Sequence, residues 1–279
     1  MDHYCVLGNP VEHSRSPAIH ARFAELTGQA MDYGKRLAPL DGFASSLRQW
    51  LDGGGRGCNV TVPFKFQAFQ LADNATERAQ LAQAANTLKW DAGHIFADNT
   101  DGIGLVNDIQ IHAGVALAGR DLLLLGAGGA AAGVLGPLLA AGPRRLVLAN
   151  RSHAKALALV ARHASAPSLR GVLQKTELIA QEMQGLQAEF DVIINATASS
   201  LDGSSLALDA RVLKPGALAY DMMYGPAGQG FADWARAHGA QPRDGLGMLV
   251  EQAAEAFLFW RGVRPPSKQV LHELRQALA

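Results

Sequence analysis

The sequence predicts an α/β protein containing a doubly wound parallel sheet. Short apolar runs alternate with helical patterns along most of the chain, which is how strands joined by crossover helices read. One run, Leu122–Leu125, leads straight into a glycine-rich turn and then a helical stretch, the opening of a βαβ unit. The 279 residues, 48% hydrophobic and 18% charged, are enough for about two domains of ~150 residues with buried cores.

Tyr4–Gly8 reads as the first strand. Ser16-Pro17 opens a helix, because Ser is a favoured N-cap and Pro suits the first helical position, where its missing N–H costs nothing. Ile19, Phe23 and Leu26 share one face of it, and Gly28 is its stop. Met31–Leu37 is the second strand. Asp41 caps a helix through Leu51 that ends at Gly53-Gly54-Gly55. Gly57–Val62 is the third strand, ended by Pro63. Helical stretches follow near Lys65–Leu71 and Ala75–Ala84. Thr87–Trp90 and His94–Ala97 flank Asp91-Ala92-Gly93 and read as a hairpin. A helix runs from Asp101 to His112. Strand Asp121–Leu125, helix Gly128–Ala141, strand Arg145–Ala149 and helix Ser152–His163 come next. Leu169–Gln174, Asp191–Asn195 and Ala217–Asp221 are expected to be further strands, and Gly247–Trp260 and Ser267–Ala279 helices.

Composition excludes several classes. Lys plus Arg and Asp plus Glu number 25 each, so the chain lacks the basic excess of a general nucleic-acid binder, although a local anion site fits. Cys5 and Cys58 are too few for a disulfide framework and lie in strand-like runs; buried free thiols in a reducing cytoplasm are expected. The first ten residues lack the basic patch and apolar core of a signal peptide. Leu122–Pro143 is uncharged and long enough to span a bilayer, but Gly126, Gly128, Gly129, Gly133, Gly136, Gly142 and Pro137 fit a buried strand, a tight turn and a buried helix better. No membrane partner is expected. Neither the nine histidines nor the cysteines show metal-ligand spacing, so no metal is expected.

Gly126-Ala127-Gly128-Gly129-Ala130-Ala131 has the G-x-G-x-x-A form of a dinucleotide-binding turn. The first Gly permits the tight turn, the second lets backbone approach a pyrophosphate, and the small third residue lets helix and strand pack closely. Helix N–H groups then hold the phosphates. The same pattern could be a tightly packed turn with no ligand; the strand-turn-helix setting favours a nucleotide in a Rossmann-like domain. The next strand ends at Ala149 and is followed by Asn150-Arg151-Ser152, with Lys155 about one turn on. A carboxylate at this point would accept from the ribose hydroxyls of NAD, whereas Arg151 can bind a 2′-phosphate through two hydrogen bonds. NADP is therefore expected over NAD.

Four peptides are unusually polar for their positions: Asn9–Pro17, Asn59–Lys65, Asn86-Thr87 and Asp98–Gly102. Three lie at strand ends, where open α/β sheets bind ligands, and together they offer hydroxyls, an amide, an ammonium and a carboxylate. In sequence order the chain carries G-N-P-V-x-H-S-x-S-P, N-V-T-V-P-F-K, A-N-T-L, D-N-T-D-G, G-A-G-G-A-A, A-N-R-S, I-N-A-T, Y-D-M-x-Y-x-P and D-G-L-G-M-L-V-E-Q-A. Over nearly its whole length it resembles the shikimate dehydrogenase family, which includes shikimate/quinate dehydrogenases.

The resemblance implies NADPH-dependent reduction of 3-dehydroshikimate to shikimate in aromatic amino-acid biosynthesis. It implies an α/β substrate domain, residues 1–101 plus 245–279, around an inserted NADP-binding domain, 102–244. Ser14, Ser16 and Tyr224 resemble the groups that bind the substrate carboxylate; Ser16 could also be an N-cap. Thr61, Asn86 and Gln252 resemble those contacting ring hydroxyls, and Lys65 and Asp101 the catalytic pair. Asn195, Thr197, Met222 and Gly247 match positions lining the adenosine and nicotinamide ends. The chain departs from the family at Gln83-Ala84-Ala85, where Gly-Ala-Val is frequent, at Ala198–Asp202, and at Gly225 and Gly230. Competing readings are an NAD-using quinate/shikimate enzyme and a non-catalytic NADP-binding regulator; the presence of both Lys65 and Asp101 argues against the latter. Monomer and homodimer both stay open.

Overall fold

In the computed structural model, residues 1–197 and 208–278 are described; the Ala198–Asp202 departure lies outside them. The chain divides into two compact units, Met1–Gly104 with Leu249–Ala279, and Leu105–Met248.

The first unit contains β1 (Asp2–Gly8), α1 (Ser16–Thr27), β2 (Met31–Leu37), α2 (Phe43–Asp52), β3 (Gly55–Val60), α3 (Lys65–Gln70), β4 (Asn74–Ala75), α4 (Glu77–Ala82), β5 (Thr87–Asp91), β6 (His94–Asp98) and the start of α5 (Asp101–Asn107). Its sheet has the order β2-β1-β3-β5-β6-β4. β2, β1 and β3 are parallel, while β3, β5 and β6 are antiparallel. The expected hairpin is present, and Ala92 and Gly93 both have positive φ at its tip, as a two-residue turn between twisted strands requires. Gly28 ends α1 at φ 64°, its N–H pointing to the carbonyls of Ala24 and Glu25. Ser16 is the first helical residue, with Arg15 at the cap position. α2 starts after Gly42, and the expected Asp41 cap is displaced. The stretch expected to be helical from Ala75 is shorter, because β4 takes Asn74–Ala75 and the Thr76 hydroxyl then caps α4 by accepting from Ala79 N–H. Cys5 and Cys58 face each other in register on β1 and β3 as buried free thiols, packed with Leu7, Phe43, Leu47 and Phe64.

The second unit takes in the end of α5, which continues as a π-helical turn (Asp108–His112), then β7 (Asp121–Leu125), α6 (Gly129–Ala140), β8 (Arg145–Asn150), α7 (His153–Ala164), α8 (Arg170–Leu173), β9 (Glu177–Glu182), β10 (Phe190–Asn195), β11 (Leu213–Asp221), α9 (Gln229–Ala237) and β12 (Gln241–Arg243). Its sheet order is β12-β11-β10-β7-β8-β9, parallel throughout. This is the doubly wound order, reversing direction between β7 and β10. Leu122–Leu125 are fully buried, as a central strand covered on both faces demands. The expected strand Leu169–Gln174 is instead helical. Pro167 opens a helical turn there, only Leu169 is buried, and the strand is the next segment, β9.

α10 (Leu246–Arg261) and α11 (Ser267–Gln276) close the chain. Most of α10 belongs to the first unit, where Trp260 donates to the Leu88 carbonyl at 3.0 Å and stacks on Tyr4 with centroids 4.6 Å apart. α11 is tied to α1 by a two-bond Arg22–Glu273 pair. No helix among the described residues is long and apolar enough to cross a membrane.

Candidate active site

In the first unit three of the polar peptides lie at or just past the ends of β1, β3 and β6, and the fourth, Asn86-Thr87, at the start of β5. Thr61 N–H donates to the Leu7 carbonyl and Asn9 N–H to the Val62 carbonyl, so the loops after β1 and β3 are laced together. Gly8 is required here: a Cβ on it would lie 2.2 Å from Cγ2 of Thr61. Lys65 opens α3, and its carbonyl accepts from Ala85 N–H at 2.8 Å. This bond joins α3 to the loop that carries Asn86. Gln83 on that loop has φ 52°, a left-handed conformation in which the Gly frequent in the family is unstrained.

Lys65 Nζ donates to Asp101 Oδ2 at 2.6 Å, with the side chains 18% and 8% exposed. Asn86 Nδ2 points at Asp101 Oδ1 at 2.8 Å, and at Gln252 Oε1 and Thr100 Oγ1 at 3.1 and 3.0 Å. Asn86 Oδ1 accepts from Thr100 N–H at 2.8 Å. Four expected residues, Lys65, Asn86, Asp101 and Gln252, therefore form one hydrogen-bonded group drawn from α3, the β5 edge, α5 and α10. Asp101 is held by Asn99, whose Oδ1 accepts from Asp101 N–H and whose Nδ2 donates to the Ala84 carbonyl. Asp98, also buried, accepts from Thr76, from Arg78 twice and from Asn99 N–H. Its charge is thus matched within hydrogen-bond distance, as a buried carboxylate needs. Ser14 and Ser16 are paired with each other, Ser16 N–H donating to Ser14 Oγ at 3.3 Å. Among the described residues they make no hydrogen bond to the Lys65 group.

In the second unit the glycine turn and the neighbouring strand ends converge where the sheet reverses direction. Gly126 has φ 105°, and a Cβ there would lie 2.9 Å from the Ala196 carbonyl oxygen. No side chain caps the start of α6 after Gly128, so its first N–H groups are available to phosphate. Asn195 Nδ2 donates to Asp221 Oδ2, Thr197 Oγ1 donates to Asn195 Oδ1, and Met222 N–H donates to the Asn195 carbonyl. Asn150 bonds to the Ser152 carbonyl through its Nδ2. Arg151 and Lys155 are exposed at the start of α7, and among the described residues neither side chain has a partner. Two cations beside a helix start oppose its dipole unless an anion joins them. These features fit a dinucleotide carrying an extra phosphate. Gly247 has a second constraint: a Cβ on it would fall 1.8 Å from Asp108 Oδ1, and that carboxylate is fixed by Tyr220 and Arg243. Tyr224 is half-buried after β11, and Gly225 has φ 69°.

Sequence reasoning did not single out Asn59, Thr87 or Thr100. All three lie in the polar peptides, and all are buried polar residues bonded around Asn86. Their signal was a run of uncharged polar residues at strand ends of otherwise apolar strands.

A doubly wound sheet with an open glycine turn, in a chain whose other unit presents a partly buried ammonium–carboxylate pair, defines a dinucleotide-dependent oxidoreductase. Family profiles narrow the class: "Shikimate dehydrogenase substrate binding domain" matches residues 6–88, "Shikimate / quinate 5-dehydrogenase" 109–202, and "Shikimate 5'-dehydrogenase C-terminal domain" 245–275. The shikimate dehydrogenase (NADP(+)) of Acidovorax sp. (strain JS42) is 66% identical over 278 residues, covering 100% of this chain and 97% of the relative. That of Verminephrobacter eiseniae (strain EF01-2) is 65% identical, covering 100% and 96%. The crystal structure of shikimate 5-dehydrogenase from Thermus thermophilus in complex with NADP(H) and shikimate aligns with TM-score 0.85 at 31% identity, covering 99% of this chain and 100% of that one. The chain belongs to the shikimate dehydrogenase family.

Proposed function

We propose that the protein interconverts 3-dehydroshikimate and shikimate with NADP, as a step of aromatic amino-acid biosynthesis in the cytoplasm. The observation that carries this is the Lys65–Asp101 pair at 2.6 Å, with Asn86 on the other carboxylate oxygen, in a chain 66% identical to an NADP-dependent relative. When bound, NADPH supplies the hydride for the carbonyl carbon. As that carbon is reduced its oxygen gathers negative charge, and the Lys65 ammonium stabilises the charge and gives up a proton to the oxygen. In the oxidising direction Lys65 takes that proton back. Asp101 orients the ammonium. Thr61, Asn86 and Gln252 hold ring hydroxyls, and Ser14, Ser16 and Tyr224 the substrate carboxylate.

In this reading Gly126–Ala130 hold the pyrophosphate through backbone N–H groups. Asn150, Arg151, Ser152 and Lys155 hold the 2′-phosphate. Asn195, Thr197, Met222 and Gly247 line the adenosine and nicotinamide ends. The substrate domain is residues 1–101 with 245–279, and the NADP domain is 102–244. The small-molecule partners are the two shikimate-pathway acids, and the enzyme acts as a monomer or homodimer without nucleic acid or membrane. The test is absorbance at the reduced-nicotinamide band with shikimate or quinate and with NADP or NAD. NADP with shikimate is expected to give the highest kcat/KM. Preference for NAD overturns the role of Arg151, and no turnover with any pair overturns the activity.

A further inference from the structure

Asn86 sits at the centre of the Lys65 group, and its role depends on which end of its amide faces Asp101. Oxygen and nitrogen in an amide are told apart by their partners. Here two fixed groups decide the outer end. Asp101 Oδ1, at 2.8 Å, is an acceptor and requires the nitrogen; Thr100 N–H, at 2.8 Å, is a donor and requires the oxygen.

The inner side of Asn86 is tied to a chain of buried polar groups that reaches β2. Asn59 on β3 lies 3.2 Å from the Asn86 carbonyl and 3.0 Å from Thr87 Oγ1. A carbonyl only accepts, so Asn59 must present its nitrogen there. Its oxygen is then turned to the Tyr33 hydroxyl, 2.7 Å away, which must donate. Burial holds the Tyr33 phenol well above its ordinary pKa, opposed by a hydrogen bond to Ser16, so the proton needed for that donation is retained. Thr87 Oγ1 accepts from Asn59, and its one proton is left to donate. Of the two oxygens within reach, Asn86 Oδ1 at 3.0 Å and Thr100 Oγ1 at 3.5 Å, the nearer takes that proton. Every link thus runs one way: Tyr33 to Asn59, Asn59 to Thr87, Thr87 to Asn86, Asn86 to Asp101.

We propose that Tyr33, Asn59 and Thr87 are positioning residues that act as a directional hydrogen-bond chain, bracing the Asn86 amide in the orientation that Asp101 and Thr100 N–H select, so that it keeps donating to Asp101 and leaves the other carboxylate oxygen to Lys65. This rests on the reading of Lys65 and Asp101 as the proton-transfer pair. Without the chain Asn86 keeps its outer partners but loses a donor to its oxygen, and the amide gains freedom to rock away from Asp101.

Thr87 gives the test, because its hydroxyl and its methyl can be removed separately. Thr87→Val keeps the shape and deletes the hydroxyl; Thr87→Ser keeps the hydroxyl and deletes the methyl. Thr87 is fully buried, so a packing role ranks valine above serine. An orienting role ranks serine above valine. In steady-state assays well below Tm, Thr87→Val is expected to lower kcat about tenfold with a smaller change in shikimate KM, and Thr87→Ser to keep kcat within about threefold of wild type. Tyr33→Phe is expected to lower kcat about threefold alone and to add almost nothing to Thr87→Val, since a chain already cut cannot be cut again. Wild-type kcat in Thr87→Val, equal losses in valine and serine variants, or multiplying losses in the double variant each overturn the inference. An inactive wild-type chain would overturn the underlying reading instead, so the two failures are distinct.

Discussion

Lys65 is the residue on which the proposed chemistry turns. Its ammonium is held by a carboxylate that is itself braced by Asn86 and Asn99, so removing it takes away the proton donor and leaves the binding groups in place. Lys65→Ala is expected to lower kcat by about 10²–10⁴-fold, with shikimate KM changing far less, in steady-state kinetics; unchanged turnover would refute its role. A second residue governs acid stability. His20 is fully buried and stacks on Tyr33 with centroids 4.3 Å apart; burial pushes it down to about 3 from 6.5, weakly opposed by Asn59. Between those values the unfolded chain carries the proton and the folded chain does not, so stability is complete above pH 6.5 and falls as pH drops toward 3. The slope is about 1.4 kcal/mol per pH unit. Replacing His20 with Leu is expected to flatten the dependence of Tm on pH in that window by one proton. His163, buried and also lowered, would keep its own share. An identical slope would show that His20 already titrates in the folded state.

At the scale of elements, the β7–turn–α6 unit is the most constrained. Gly126 combines positive φ with a close approach to the Ala196 carbonyl, so Gly126→Ala both strains the turn and pushes β7 from the loop after β10. A loss of about 1–3 kcal/mol of stability is expected in denaturant melts, together with weakened NADP binding by fluorescence titration. This unit was legible in the sequence because a fully buried strand and a glycine turn leave few alternatives. The hairpin at Ala92-Gly93 was legible for the same local reason. β9 was not. Glu-Leu-Ile-Ala-Gln-Glu lies at the sheet edge and is half-buried, so it lacks the apolar density of a central strand, and the neighbouring Leu169–Gln174 drew the assignment away. β12 is three residues with Pro242 in it, tolerated only because it too is an edge. α9 went unread although Phe231, Trp234 and Ala235 show helical spacing; the glycines around its start mask the pattern.

For the whole molecule, the second unit is one unbroken stretch of chain with a complete six-stranded sheet and its own core. A fragment of residues 105–248 is therefore expected to unfold cooperatively by circular dichroism and to bind NADP with no substrate present. A non-cooperative melt would show that the unit depends on the rest of the chain. The candidate site was legible here as a set of peptides. Its wiring was not, because Lys65, Asn86, Asp101 and Gln252 meet only through folding across nearly 190 residues of sequence, and no local pattern records which amide end faces which carboxylate.

The first unit is interrupted, and its missing portion, Leu249 onward, follows everything else in sequence. On a ribosome the strands β1–β6 emerge early but wait, with Leu88 and Asn86 lacking Trp260 and Gln252 as partners, while the intervening fold has all it needs to form. The order of synthesis thus completes the unit with the parallel sheet before the unit that carries Lys65.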